Sequence, residues 1–147
     1  MREQNNFIKG ITDGLPICFG YLSVSFAFGI FAIGNGFNIF ETVLISMTNL
    51  TSAGQLAGVP IIAAGGSLIE LAISQIIINL RYSLMSISLS QNLGDSVRFW
   101  DRLWIAFVNT DEIFAVASSN KTGVGKRYMA GLALTPYVGW TGGTLLG

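Results

Sequence analysis

The stretch LAISQIIINLRYSLMSISLSQNLG, Leu71–Gly94, decides how this chain of 147 residues folds. It is long enough to cross a bilayer as a helix, because about 20 mostly apolar residues suffice. Arg81 is its only charged residue. An ionisable side chain at membrane depth costs about 2.5–3.5 kcal/mol on insertion scales and is usually retained for function. Arg81 is therefore the first candidate for a functional residue.

Long uncharged runs elsewhere in the chain indicate a membrane protein with several crossings. Gly14–Phe40 and Thr42–Ile69 contain 27 and 28 residues without a charge, and Tyr128–Gly147 contains another 20. Only 11% of the residues are charged, whereas soluble domains carry about 25%. Outer-membrane strands alternate apolar and polar residues over roughly ten positions, a pattern that these runs lack. The sequence predicts an all-α, polytopic transmembrane helical bundle, forming a single membrane domain over residues 1–147.

Hydrophobicity divides the chain into five helical regions, of which the second is interrupted. The regions are Leu15–Ile33 with Pro16 near its start, Val43–Leu68, about Leu68–Ser90, Leu103–Ser119 and a segment from Tyr128. The second region predicts two half-helices or a re-entrant hairpin, which are allowed only where the broken backbone is buried in protein or faces a cavity. The distribution of Lys and Arg mildly favours a full crossing there, if the fourth region also crosses. An alternative third helix, Ile61–Leu80, would make Glu70 central and Arg81 interfacial.

The residue types that are missing exclude several functions. The chain has no histidine, which excludes a Ser-His dyad, a histidine-ligated zinc and a histidine-held haem. The single Cys18 excludes an intramolecular disulfide and a multi-cysteine metal site. The net charge is zero, so nothing indicates a nucleic-acid partner. We predict a protein that is not an enzyme and that uses no metal and no cofactor.

Arg81 requires a negatively charged partner inside the membrane. The candidates are Asp111 and Glu112, Glu70, or the carboxylate of a substrate, which the planar guanidinium can bind through two parallel hydrogen bonds. Asp111 and Glu112 are adjacent and point about 100° apart on a helix. One of them could pair with Arg81 while the other carries a proton for coupling. Alternatively, the two acids begin a helix or lie in a short loop.

Gly54 and Gln55 interrupt the second region with a polar run, Thr51–Gln55. The N-terminus of a half-helix presents free N–H groups to an anionic ligand group, and Gln55 offers both a donor and an acceptor. The glycines Gly54 and Gly58 equally suit close packing of two helices. Asn79, two residues before Arg81, is a further candidate for substrate binding.

Four short motifs, in order and spacing, resemble the AzlC family, the large subunits of bacterial branched-chain amino acid exporters. They are Asp13-Gly14-Leu15-Pro16, Ser52-Ala53-Gly54-Gln55, Asn79-Leu80-Arg81-Tyr82 with Leu84-Met85, and Thr110-Asp111-Glu112. The resemblance implies a multi-pass protein of the bacterial cytoplasmic membrane that exports valine, leucine or isoleucine, driven by the proton gradient. It also implies a small hydrophobic AzlD-like partner subunit. Family members are longer, and the chain stops within an apolar run, so we expect it to be the N-terminal part of a longer permease.

These observations lead to a hypothesis for substrate binding. The carboxylate of the amino acid would be held by Arg81 or by N–H groups near Gly54, and its ammonium group would meet Asp111 or Glu112. The branched side chain would pack on apolar helix faces. The alternative function is a channel or a non-transporting membrane subunit, in which the same charges would line a pore or stabilise the bundle.

Overall fold

The computed structural model describes residues 4–120 and 122–147, and it is all-α, as the sequence predicted. The helices of the described chain are α1 (Phe7–Gly34), α2 (Ile39–Thr48), α3 (Ser52–Ala63), α4 (Leu68–Asn92), α5 (Phe99–Val108), α6 (Asp111–Ser118) and α7 (Lys126–Leu146). Within this part of the chain, α1 and α4 are the two helices that are both long and apolar enough to cross a membrane. The third helix is thus confirmed in the register that places Arg81 near its middle, and the alternative Ile61–Leu80 is wrong.

The residues fall into two compact units. Unit 1 contains the chain up to Cys18 together with Arg81–Tyr137, and unit 2 contains Phe19–Leu80 together with Val138–Gly147. The helices α1, α4 and α7 each contribute one part to each unit, whereas α2 and α3 belong to unit 2 and α5 and α6 to unit 1.

The first helix begins eight residues earlier than predicted, at Phe7 instead of Leu15. Asn6 caps it, because its side-chain oxygen accepts the N–H of Ile8 at 3.0 Å. Lys9 and Asp13 are one helical turn apart and form an ion pair of 2.9 Å, so neither charge interrupts the helix. As a consequence, Pro16 lies in the helix interior and not near its start.

The second region is a helical hairpin formed by α2 and α3 in unit 2. Ile45 of α2 and Ile62 of α3 line the same cavity, whereas one continuous helix would separate these residues by about 25 Å. The two helices have 10 and 12 residues, and about 20 are needed to cross a bilayer. The break predicted in the second region is thus confirmed, and each half-helix is too short to cross a bilayer by itself.

The fourth region is also broken, and its first half, α5, runs antiparallel to α4 in unit 1. The guanidinium of Arg102 donates to the carbonyl of Ser90 at 2.9 Å, near the start of α5. The amide of Asn109, just after α5, donates to the hydroxyl of Ser86 at 3.2 Å. The chain therefore moves back along α4 as it proceeds through α5.

The second half, α6, returns in the direction of α4. Its first residue, Asp111, pairs with Arg81, and near its end the carbonyl of Ala117 accepts a hydrogen bond from Asn92 at 3.2 Å. The prediction of one helix over Leu103–Ser119 is wrong, because the chain turns at Asn109-Thr110 and forms a second half-helix hairpin. Asp111 and Glu112 accordingly lie in the first turn of α6. This is the alternative, left open by the sequence, in which the two acids begin a helix.

Three chain segments meet at one end of unit 1. Val124 bridges both Gln4, which precedes α1, and Leu93, which follows α4. Because Val124 itself precedes α7, α1 and α7 start at this junction and α4 ends there. The α5–α6 hairpin also ends there, since Asn92 donates to the carbonyl of Asn120 at 3.4 Å. We call this the junction end.

The cationic residues concentrate at the junction end. Apart from Arg81, the Lys and Arg residues of the described chain all lie there, namely Lys9, Arg98, Arg102, Lys126 and Arg127. The turns at residues 35–38 and 64–67, which join the other helix ends, contain neither Lys nor Arg. When both broken regions are treated as hairpins, the difference in the number of Lys and Arg residues between the two ends of the helices is much larger than the count from the sequence suggested.

The order of a long helix followed by a half-helix hairpin occurs twice, first as α1–α3 and then as α4–α6. Both hairpins open on the same kind of cap, in which a carboxylate accepts the N–H of the residue three positions earlier: Glu41 from Asn38 at 2.9 Å, and Asp101 from Arg98 at 3.0 Å. Asn49 and Asn109 follow their caps by the same spacing. The hydropathy pattern of the sequence did not predict this internal repeat.

Close backbone contact between α1 and α7 depends on glycine. A Cβ atom at Gly10 would clash with the carbonyl oxygen of Tyr128 and lie 2.8 Å from the backbone nitrogen of Leu132. Both atoms belong to the backbone, so neither can move aside as a flexible side chain would. In contrast, a Cβ at Gly20 on the same helix meets no atom within 4 Å.

Gly10→Ala is therefore expected to lower the free energy of unfolding by about 1–3 kcal/mol, as overpacked substitutions do. Gly20→Ala is the matched control and is expected to leave stability unchanged or to raise it by up to about 1 kcal/mol. Thermal or SDS-induced unfolding of the two purified variants in detergent checks this. Equal stability of both variants would contradict the packing described for α1 and α7.

Candidate functional site

The break between α2 and α3 exposes backbone groups that side chains must satisfy. Thr51 is the N-cap of α3, and its hydroxyl oxygen accepts the N–H of Gly54 at 3.3 Å. The backbone N–H of Asn49 still bonds to the carbonyl of Ile45 and closes the last turn of α2. Because Thr51 satisfies only one of the free N–H groups of α3, the start of this helix retains donors and partial positive charge.

Gln55 holds the two half-helices together and leaves one atom unused. Its side-chain nitrogen donates to the carbonyl of Asn49 and, at 3.3 Å, to the hydroxyl of Ser46. The residue is only 1% exposed, and its Oε1 is buried without a hydrogen-bond partner in the described chain. A buried acceptor left unpaired costs about 1–3 kcal/mol. Such an atom indicates a place where a ligand or a water molecule donates a hydrogen bond.

A chain of amides connects α4 to the same break. The side-chain nitrogen of Gln75 donates to the carbonyl of Gly54 at 2.9 Å, and its Oε1 accepts from the side chain of Asn79 at 3.3 Å. Asn79 Oδ1 is in turn buried without a partner in the described part of the molecule. The amides of α4 are thus oriented by the hairpin, and a second acceptor stays available.

Gln55 and Gln75 line a cavity within unit 2, which we call the unit 2 cavity. Its volume is about 200 Å³. Polar side chains and the start of α3 line part of its wall, through Thr48, Asn49, Gly54, Gln55 and Gln75. Aliphatic side chains line the rest, together with Gly58, namely Ile45, Val59, Ile62 and Leu71. A small molecule with a polar head and a branched hydrocarbon side chain matches this division.

The charged cluster lies in unit 1, where Arg81 pairs with Asp111. Arg81 Nη1 is 2.9 Å from Asp111 Oδ2, and Nη2 donates to the hydroxyl of Tyr82 at 2.9 Å. Glu112 also attracts the guanidinium electrostatically. Asp111 is the first residue of α6, where the helix dipole favours a carboxylate. The pair is not fully enclosed, since the two side chains are 51% and 43% exposed.

The break that precedes Asp111 repeats the chemistry of the break in unit 2. The hydroxyl oxygen of Thr110 accepts the N–H of Ile113 at 3.5 Å and caps α6. Asn109 is 2% exposed and donates to Ser86, while its Oδ1 is buried without a partner among the described residues. Each hairpin therefore turns at an Asn, and the capping Thr follows two residues later in the first hairpin, at Thr51, and one residue later in the second, at Thr110.

The predicted site residues fall into two clusters. Gly54, Gln55 and Asn79 belong to the amide network of unit 2, whereas Arg81, Asp111 and Glu112 belong to the charged cluster of unit 1. Of the three partners considered for Arg81 within the chain, Asp111 forms the ion pair. No group of three metal-ligating side chains occurs in residues 4–120 and 122–147.

Sequence reasoning missed Asn49, Gln75 and Asn109 as site residues. Gln75 lies on the same polar face of α4 as Asn79, and the helical periodicity of the sequence is sufficient to place it there. The two asparagines share a signal that would have found them, since each follows the capped start of a short apolar helix by 11 residues, at Asn38 and Arg98, and has a threonine within the next two residues.

One face of α4 is turned toward protein and another is exposed. Leu71 and Gln75 line the unit 2 cavity. The side chains of an aliphatic face are between 52% and 69% exposed, namely Ile73, Ile76, Ile77, Leu80, Leu84 and Ile87. This face is apolar enough to contact lipid.

Comparison with known proteins gives consistent matches. The family model described as AzlC protein matches residues 16–147. The inner membrane protein YgaZ of Escherichia coli is 32% identical over 145 residues, which cover 96% of this chain and 59% of the relative. A membrane protein of Archaeoglobus fulgidus is 36% identical over 141 residues, covering 96% and 61%. A membrane protein of Helicobacter pylori is 24% identical over 151 residues, covering 98% and 65%. The chain thus spans about three-fifths of the length of these relatives, and no solved structure matches it.

The Arg81–Asp111 pair yields a prediction about stability. Removing one partner leaves the other charge uncompensated at membrane depth, whereas removing both leaves none. We therefore expect Arg81→Gln and Asp111→Asn each to lower the unfolding temperature, and the double variant to be more stable than either single variant. Thermal unfolding in lipid nanodiscs checks this, with Asp95→Asn, which removes a carboxylate outside the charged cluster, as the control. Strictly additive losses in the double variant would show that the pair is not coupled.

Proposed function

The chain belongs to the AzlC family, and we propose that it forms the substrate-binding part of a permease for branched-chain amino acids. The permease exports valine, leucine or isoleucine across the bacterial cytoplasmic membrane, uses the proton gradient and acts as a large subunit with a small AzlD-like partner. The observation that carries the proposal is the unit 2 cavity, which combines Gln55, whose Oε1 is buried and unpaired in the described chain, with an aliphatic wall.

The cavity provides one group for each part of a zwitterionic amino acid. The N–H groups at the start of α3 suit the carboxylate, because a helix N-terminus binds anions without a cationic side chain. Gln55 Oε1, which is buried and unpaired in the described chain, suits the ammonium group. The branched side chain then contacts Val59, Ile62 and Leu71. Arg81 is not needed as a carboxylate ligand here, because it is engaged with Asp111.

The charged cluster suits proton coupling rather than substrate binding. Protonation of Asp111 would neutralise it and release Arg81, so gain or loss of one proton would break or form an ion pair next to the break between α5 and α6. An ion pair at a helix break is a contact that can differ between two conformations of a carrier. Glu112, on the same first turn of α6, is the second candidate for the proton.

The proposed orientation places the junction end in the cytoplasm. The Lys and Arg residues of the described chain, other than Arg81, lie at that end, and cytoplasmic segments carry the excess of these residues. The protein then crosses the membrane through α1 and α4, the two helices that are long and apolar enough.

Substrate selectivity should respond to the aliphatic wall. We expect Val59→Ala in the full-length protein with its partner to shift the preference from valine toward the larger leucine, by a free-energy difference of about 1–3 kcal/mol for the added space.

Gln55→Leu should weaken binding of all three amino acids. Counterflow of labelled substrates in proteoliposomes measures both effects, with Ile77→Val on the exposed face of α4 as control. Unchanged counterflow in Gln55→Leu would refute the cavity as the binding site, and conductance without counterflow would indicate a channel instead.

Proton coupling should depend on one of the two acids of α6. Asp111→Asn is expected to abolish the dependence of export on the pH gradient while leaving exchange of one amino acid for another in place. Glu112→Gln is the matched comparison, and it should retain the dependence if Asp111 carries the proton. Proteoliposomes with an imposed pH gradient check this. Retained dependence in both variants would place the coupling elsewhere.

A further inference from the structure

A second cavity lies at the junction end of unit 1, apart from every residue assigned above to transport. It has a volume of about 510 Å³. Helices α1, α5 and α7 supply its lining, which consists of Phe7, Asp101, Trp104, Lys126, Arg127 and Ala130. The cavity thus combines two cations and one carboxylate with aromatic and small apolar side chains.

The two cations are available to a ligand. The ion pairs of the described chain, Lys9–Asp13 and Arg81–Asp111, include neither Lys126 nor Arg127, and Asp101 attracts Lys126 electrostatically without pairing with it. Their backbone N–H groups are already used, since that of Lys126 bonds to the hydroxyl of Ser96 at 3.3 Å and that of Arg127 to the side chain of Asn5 at 2.8 Å. These bonds fix the start of α7, and the side chains of both residues line the cavity.

The carboxylate of Asp101 is occupied by neighbours of its own. It accepts the N–H of Arg98 at 3.0 Å and the indole N–H of Trp104 at 3.5 Å. The bond from the Arg98 backbone is the main cause that lowers the pKa of Asp101 below its ordinary value. Asp101 is therefore ionised at neutral pH and orients Trp104, and the cavity keeps a net charge of one positive unit.

Exposed aromatic side chains at the start of α5 indicate a position at the membrane surface. Phe99 and Trp100 are 66% and 76% exposed and pack edge to face with ring centres 5.5 Å apart. Aromatic residues concentrate at the level of lipid headgroups. A cationic cavity with an apolar wall at that level matches a molecule with an anionic head and hydrocarbon chains.

We propose that this cavity binds an anionic phospholipid, with its phosphate between Lys126 and Arg127 and its acyl chains against Phe7, Trp104 and Ala130. Basic pockets between membrane helices on the cytoplasmic side recognise such headgroups. The proposal rests on the membrane orientation proposed above but not on the transported substrate. Bound lipid would tie α1, α5 and α7 together at the junction end.

The test uses the full-length protein, delipidated in detergent and titrated with phosphatidylglycerol. We expect a rise in unfolding temperature with phosphatidylglycerol and none with phosphatidylcholine. Lys126→Gln/Arg127→Gln should weaken the apparent affinity for phosphatidylglycerol about 20- to 30-fold, given roughly fivefold per cationic residue. Arg98→Gln removes a charge at the same end without lining the cavity, and it should retain most of the response.

Three outcomes would overturn the proposal. They are an unchanged phosphatidylglycerol response in the double variant, an equal response to phosphatidylcholine, and an equal response to inorganic phosphate, which would indicate an anion site without acyl-chain contacts. If the double variant fails to fold, Lys126→Ala and Arg127→Ala are compared with the charge-conserving Lys126→Arg and Arg127→Lys, which should retain the response. Lipid binding is measured without transport, so its failure leaves the proposed export function untouched.

Discussion

The fold depends on how the backbone is satisfied where two helices break at membrane depth. A hydrocarbon environment offers no water to unpaired N–H and carbonyl groups, so a break persists only if protein groups replace the missing partners. Thr51 and Thr110 cap the second half of each hairpin, and Gln55 donates to the carbonyl of Asn49. Without these short polar side chains, neither hairpin could turn inside the membrane.

The same requirement connects structure to chemistry. An amide side chain has a donor and an acceptor, and at the breaks the donor is used to support the fold. The acceptors of Gln55, Asn79 and Asn109 remain buried and unpaired in the described chain. A fully satisfied break would be more stable but would offer nothing to a ligand. The polar residues that permit the turn are for this reason also the residues best suited to bind a substrate.

Much of this architecture could be predicted from the sequence, and the exceptions have physical causes. A long uncharged run is sufficient to locate most of α1, and the stretch Leu71–Gly94, whose only charged residue is Arg81, is sufficient to locate most of α4 and to single out Arg81. The family was also correctly identified from four motifs. The break at Asn109-Thr110 was not predicted, because the half-helices on either side, of 10 and 8 residues, read together as one apolar segment. The ion pair between Arg81 and Asp111 and the unpaired acceptors depend on which side chains meet in three dimensions, which no hydropathy pattern contains.

The placement of cationic residues at the junction end has a consequence for how the protein is made. The turns at residues 35–38 and 64–67 are four residues long and carry no Lys or Arg, so the insertion machinery moves little polar chain across the membrane. Inverting the finished protein would require Lys9, Arg98, Arg102, Lys126 and Arg127 to pass through the bilayer, at about 2.5–3.5 kcal/mol each. In the proposed orientation, the membrane topology of the protein is thus set once, during synthesis, and is kept for the lifetime of the molecule.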